Sequence, residues 1–100
     1  MKNPSAVPNR WKHESKIFAV PSKGKDLYPD YALDAGGQPL PLVRRILEIF
    51  DGSKTPWSLA FWFGLPNSWL GSKKPKDLLA SDPEAVLKAA AMDKEGPVHG

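Results

Sequence analysis

The stretch Thr55-Pro56-Trp57-Ser58-Leu59-Ala60-Phe61-Trp62-Phe63-Gly64-Leu65-Pro66-Asn67-Ser68-Trp69-Leu70-Gly71 decides the fold. Half of the chain's aromatic residues stand in it, and no catalytic group is placed among them. Thr55 is an acceptor placed to cap a helix, Pro56 presets φ in the first turn and Gly64 supplies a stop, so the spacing predicts a short helix between them. At 100° per residue, Trp57, Ala60 and Phe61 point one way and Leu59 and Phe63 another, while Trp62 falls near Ser58. A helix that is apolar nearly all round is either the centre of a core or a surface helix with one face kept for a partner. This reading assigns Trp57, Phe61 and Phe63 to the core. It places Trp62 on the solvent side, where a Trp is suited to anchor an interface.

Downstream, Asn67 is placed to cap a single turn through Ser68 to Leu70 that Gly71 closes, with Trp69 expected to lock loop to helix as a buried ring. Pro75 opens another short turn ending at Leu78-Leu79. Ser81-Asp82-Pro83-Glu84 reads as a capping box before a last helix that runs to about Met92, with Val86, Leu87 and Ala90 as its buried stripe. Upstream, Leu40, Val43, Ile46, Leu47 and Phe50 recur at helical intervals opposite Arg44, Arg45 and Glu48, which predicts an amphipathic helix from Pro41 to Phe50 with Gly52 as its stop. Asp34 to Pro39, with Gly36-Gly37, is the clearest linker. Before it, Ser15 to Val20 and Asp26 to Leu33 read as the strands of a β-hairpin turned at Pro21-Ser22-Lys23-Gly24, with Pro29 restricting the second strand to an edge or a bulge.

The architecture expected is therefore α+β: one β-hairpin packed on a compact cluster of about four short helices. Residues 15–92 form a single domain, with the hairpin at 15–34 and the helical region at 40–92. Residues 1–14 are expected to be a flexible arm and residues 93–100 a flexible tail.

Composition narrows the function. A chain of 100 residues supports one modest core, and 11 prolines favour short elements with sharp stops. The lack of Cys removes disulfides, thiolate zinc sites and cysteine nucleophiles together. No apolar run approaches the roughly 20 residues of a membrane span, and Met1 to Arg10 has no signal-peptide core, so a soluble cytoplasmic protein is expected. The net charge of +3 is only a mild bias toward acidic partners. His13 and His99 have no carboxylate at ligand spacing, Ser68 has no activating base beside it, and neither glycine pair has the spacing of a phosphate-binding loop. The chain is read as a non-enzyme without cofactor or metal.

Four blocks carry a resemblance: Trp57-Ser58-Leu59-Ala60-Phe61-Trp62-Phe63, Pro66-Asn67-Ser68-Trp69-Leu70-Gly71, Pro75-Lys76-Asp77-Leu78-Leu79 and Asp82-Pro83-Glu84-Ala85-Val86-Leu87. Together, over about the last half of the chain, they resemble the Xre/MbcA/ParS toxin-binding domain found at the carboxyl end of bacterial antitoxins. Ile17 to Val20 with Gly24 to Pro29 is similar to the β-wing that follows a helix-turn-helix in longer members, and that helix-turn-helix is missing here. The resemblance implies an antitoxin module that binds a cognate toxin, often a RES-domain enzyme that consumes NAD, and blocks its active site. Gly71-Ser72 stands where a glycine pair is common. Without a recognition helix, DNA binding is expected to be weak or absent.

The leading expectation is thus a protein-binding module of a toxin-antitoxin system. Trp62 and Trp69, with the basic cluster Lys73, Lys74 and Lys76, are its candidate partner-binding residues. The alternative is a small nucleic-acid-binding protein that uses Lys16, Lys23 and Lys25 of a basic hairpin on backbone phosphate. A third reading is self-association through the aromatic helix into a homo-oligomer.

Overall fold

The computed structural model of the protein describes residues 6–95. Helix α1, Ala6–His13, occupies most of the segment where the sequence suggests an arm. Pro8 lies in its first turn, where no intrahelical N–H is needed, and Arg10, Lys12 and His13 crowd its last turn, where cations suit the helix dipole. Two contacts explain why the segment is helical. Trp11 packs against the small cluster of Ile17, Ala32 and Val43, and the Lys12 ammonium meets Asp26 at 2.6 Å. Neither is visible as periodicity within residues 1–14.

The hairpin is present but shifted. Strands β1, Val20–Ser22, and β2, Lys25–Leu27, pair antiparallel with Val20 opposite Leu27, Pro21 opposite Asp26 and Ser22 opposite Lys25. Lys23 and Gly24 form the turn, both with positive φ (52° and 78°), as the favoured two-residue hairpin turn requires. That turn fixes the register. Pairs alternate outward from it, so Pro21 takes the position that donates no ladder bond. Of the strand expected at Ser15 to Val20 only Val20 is paired; before it runs an unpaired stretch whose Ile17, Phe18 and Ala19 are buried by packing. β2 stops two residues before Pro29, and Asp30–Ala32 forms a 3-10 turn rather than more strand. Asp34 then ties the expected linker into a tight loop, its Oδ1 accepting from the Gly36 and Gln38 N–H groups at 2.8 and 3.0 Å.

The helical region follows its local signals closely. α2 spans Pro41–Phe50 and buries Val43, Ile46 and Phe50; Asp51 adopts the left-handed conformation just beyond it, ahead of Gly52. α3 spans Pro56–Gly64, and the Thr55 hydroxyl accepts from the Ser58 N–H at 3.1 Å. Short 3-10 turns follow at Ser68–Leu70 and Pro75–Leu78. α4 spans Pro83–Glu95 and buries Val86, Leu87, Ala89 and Ala90, small enough side chains for it to lie closely along α2. Its first turn is capped by Asp82, whose Oδ1 faces the Ala85 N–H at 3.4 Å, and not by a Ser81–Glu84 box, because the helix begins at Pro83. The helix also continues through Asp93 to Glu95, residues expected in the tail; the rest of that tail lies outside the described residues.

The fold is α+β, with the hairpin leaning on α3 and the main core enclosed by α2, α3 and α4. Phe63 is its centre: Phe18 stacks on it with centroids 5.6 Å apart and 8° between planes, while Tyr31 and Trp62 meet it at 5.4 and 5.0 Å. A lone two-stranded hairpin is marginal in water, so Phe18 on Phe63 and Val20 in the main cluster are what hold it. Half-burial beside this cluster, with the Asp30 carboxylate a lesser influence, pushes the Tyr31 phenol up to about 12.

Candidate protein-docking surface

α3 divides into two arcs. Leu59, Trp62 and Phe63 face the core, and Phe63 is wholly enclosed. Trp57, Phe61 and Leu65 recur every four residues on the other side and are 47%, 57% and 55% exposed. Trp57 and Phe61, four apart on the helix, stand with their rings 6.2 Å apart, and Leu65, the extended residue that follows the last helical position, lines a cleft with Phe61. The assignment drawn from sequence is therefore reversed for three residues: Trp57 and Phe61 are outside and Trp62 is inside. Trp62 lies only about 40° around the helix from Ser58 at 100° per residue, which is why the wheel put it on the solvent side. Its indole N–H decides otherwise.

That N–H donates to Asp93 Oδ2 at 2.7 Å. The same oxygen accepts from Asn67 Nδ2 at 2.9 Å, and Asp93 Oδ1 accepts from the Trp69 indole N–H at 3.0 Å. One carboxylate on the last turn of α4 thus holds α3, the cap residue and the turn after it. Asn67 is buried and used twice, since its Oδ1 also accepts the Trp69 backbone N–H at 2.8 Å. Trp69, expected to be buried, is 53% exposed: its edge is tied to Asp93 while much of its ring faces water. A Trp held by its N–H with its face free is a rigid contact surface.

The lysines lie nearby along the chain. Lys73 faces Asn67 across a single bridge that closes the Trp69 loop, with the Asn67 N–H donating to the Lys73 carbonyl at 3.0 Å. Lys73, Lys74 and Lys76 are all exposed. On the other side of α3, Lys54 sits 5.0 Å from the centre of the Phe50 ring. Between Lys54 and Asn67 runs a cleft of about 340 Å³, walled by Ser58, Phe61, Leu65 and Pro66 and floored by Trp62. Among the expected site residues, Trp69 and the three lysines are therefore surface groups that follow one another along the chain, and Trp62 serves as a buried tie beneath the cleft.

Sequence reasoning missed Trp57, Phe61 and Leu65 as the exposed ridge and missed Asp93 altogether. The ridge had a signal in its four-residue spacing, since a core this small cannot enclose every side of one helix. Asp93 had none, because a carboxylate's distant partners leave no periodic trace. Among the described residues no group of three His, Cys, Asp or Glu side chains converges as metal ligands would. No helix among the described residues is long and apolar enough to cross a membrane. Comparison with protein-family models, curated proteins and solved structures finds no match for this chain.

Proposed function

We propose that this chain is an antitoxin-type binding module that neutralises a cognate bacterial toxin by covering it, with no chemistry of its own. The observation that carries the reading is the ridge of Trp57, Phe61 and Leu65, three large apolar side chains left in water on and just past the end of a helix whose opposite face is fixed in the core. Trp69 and the lysines that follow it along the chain are exposed as well and offer a rigid ring and positive charge. Aromatic anchors with a charged rim are what a specific protein interface uses. The four sequence blocks that resemble the Xre/MbcA/ParS toxin-binding domain coincide with α3, the two turns after it and the start of α4, which supports a toxin as the partner and a RES-type NAD-consuming enzyme as the first candidate.

The nucleic-acid reading has less behind it. Lys23 and Lys25 are exposed at the hairpin tip, but Lys16 lies outside the strands and pairs with Glu14 at 3.2 Å. The decisive experiment is a pull-down from the native host with the tagged protein, followed by assay of the captured enzyme with and without added binding module. Phe61→Ala with Trp57→Ala should weaken the complex and restore enzyme activity while the fold persists. Capture of an enzyme whose activity is unaffected by the module, or a complex indifferent to both substitutions, would refute the proposal.

A further inference from the structure

A separate cleft of about 230 Å³ opens where the end of α1, the Gln38–Leu40 segment and the first turn of α2 meet. Its apolar wall is the half-buried Trp11 with Pro39 and Pro41, and its polar groups are Lys16, Gln38 and Arg44. Among the described residues no carboxylate lines it. Each cation has an outside partner, Lys16 with Glu14 Oε1 at 3.2 Å and Arg44 Nε with Glu48 Oε2 at 3.4 Å. Both pairs are solvent-exposed, and such pairs hold their members weakly enough to yield to a better-placed anion. The guanidinium presents a planar fork matched to a carboxylate, and an indole face with proline rings beside it accepts a flat apolar ring. The volume is below the roughly 300–1,000 Å³ of sites for drug-sized molecules, which leaves room for one ring with a short acidic arm.

We propose that this cleft binds a small aromatic carboxylate, its ring against the Trp11 indole and its carboxylate between Lys16 and Arg44. The site is distinct in residues from the α3 surface and does not depend on the antitoxin reading. The same chemistry is offered by a free aromatic acid and by the carboxyl-terminal aromatic residue of a peptide, so phenylacetate and Gly-Gly-Gly-Phe are the two probes.

The test is a titration of the full chain followed by proton–nitrogen correlation NMR. Phenylacetate or the peptide should shift the Trp11 indole N–H and the amides of Gln38, Leu40 and Leu42 saturably, with a Kd on the order of millimolar for so small and open a site. The tighter of the two probes identifies the source. Arg44→Gln should weaken binding about tenfold through loss of the charged fork, and Trp11→Leu should do the same through loss of the ring face. Arg44 is exposed, so its variant keeps the test valid if the Trp11 variant unfolds. The proposal is overturned if shifts fail to saturate or survive Arg44→Gln unchanged. It is equally overturned if neutral phenylacetamide, or inorganic phosphate alone, binds as tightly as the acid.

Discussion

Replacing Asp93 by Ala removes the acceptor shared by the Trp62 and Trp69 indoles and the Asn67 amide. Trp69 is half-exposed, so water replaces its bond at little cost. Trp62 and Asn67 are buried, and a buried donor left without a partner costs about 1–3 kcal/mol. Two smaller effects oppose this. Ala exceeds Asp in helix propensity by up to about 0.7 kcal/mol, and removing a negative charge from the last turn of α4 relieves an unfavourable dipole contact worth about 0.3–1 kcal/mol. The two donors together cost about 2–6 kcal/mol, and after the opposing effects the expected net loss is centred on about 3 kcal/mol, a large share of the roughly 5–15 kcal/mol that holds a domain folded. In urea the midpoint should fall with the slope unchanged. In NMR the Trp62 and Trp69 indole protons should move, while those of Trp11 and Trp57 stay. Asp93→Asn keeps one oxygen that can serve Trp62 and Asn67 together, so it should cost less than Ala. An Asp93→Ala protein within about 0.5 kcal/mol of the parent, the range of an ordinary surface change, would show that the carboxylate holds nothing.

Phe63→Ala should cost about 3–5 kcal/mol because it empties the centre of the core, whereas Phe61→Ala, two residues away on the exposed arc, should stay within about 1 kcal/mol in the same denaturation experiment; equal losses would mean the two arcs of α3 are misassigned. Alkaline stability should follow Tyr31: its folded-state value of about 12 stands above the ordinary 10.0, so its contribution is complete below pH 10.0 and is lost as pH rises through about 12. Tyr31→Phe should flatten the stability curve across that window. The Lys12 ammonium, held up by its hydrogen bond to Asp26, persists in the variant, and an unchanged alkaline limb would assign the whole slope to groups other than Tyr31.

What could be read from the sequence was local. Thr55 with Pro56, Asn67 with Gly71, and Pro75 each bond to or constrain a backbone within a few residues, so the elements they start were visible in one dimension. The hairpin was visible as a hairpin but misplaced, because Pro21 was read as part of the turn when the positive-φ pair Lys23-Gly24 forms it. α1 was hidden because Trp11 and Lys12 find their partners beyond the first turns of chain, at Ile17, Val43 and Asp26. The orientation of α3 was hidden for a related reason: its apolar residues fill nearly every direction, so the choice between Trp57 and Trp62 belonged to what lies opposite, and Asp93 is 31 residues further on. The basic cluster at Lys73, Lys74 and Lys76 needed no such information, since lysines crowded on either side of a proline just after a glycine have nowhere to go but water.

The Asp93 contacts also set how the molecule opens. The last turn of a terminal helix ordinarily frays by itself, at almost no free-energy cost and without disturbing its neighbours. Here the end of α4 cannot unwind and carry Asp93 away without releasing Trp62, Asn67 and Trp69 in the same event. The amide protons of that final turn and the three indole and side-chain protons should therefore exchange with solvent as one cooperative group, so the terminus and the loop that bears Trp69 share a single lifetime.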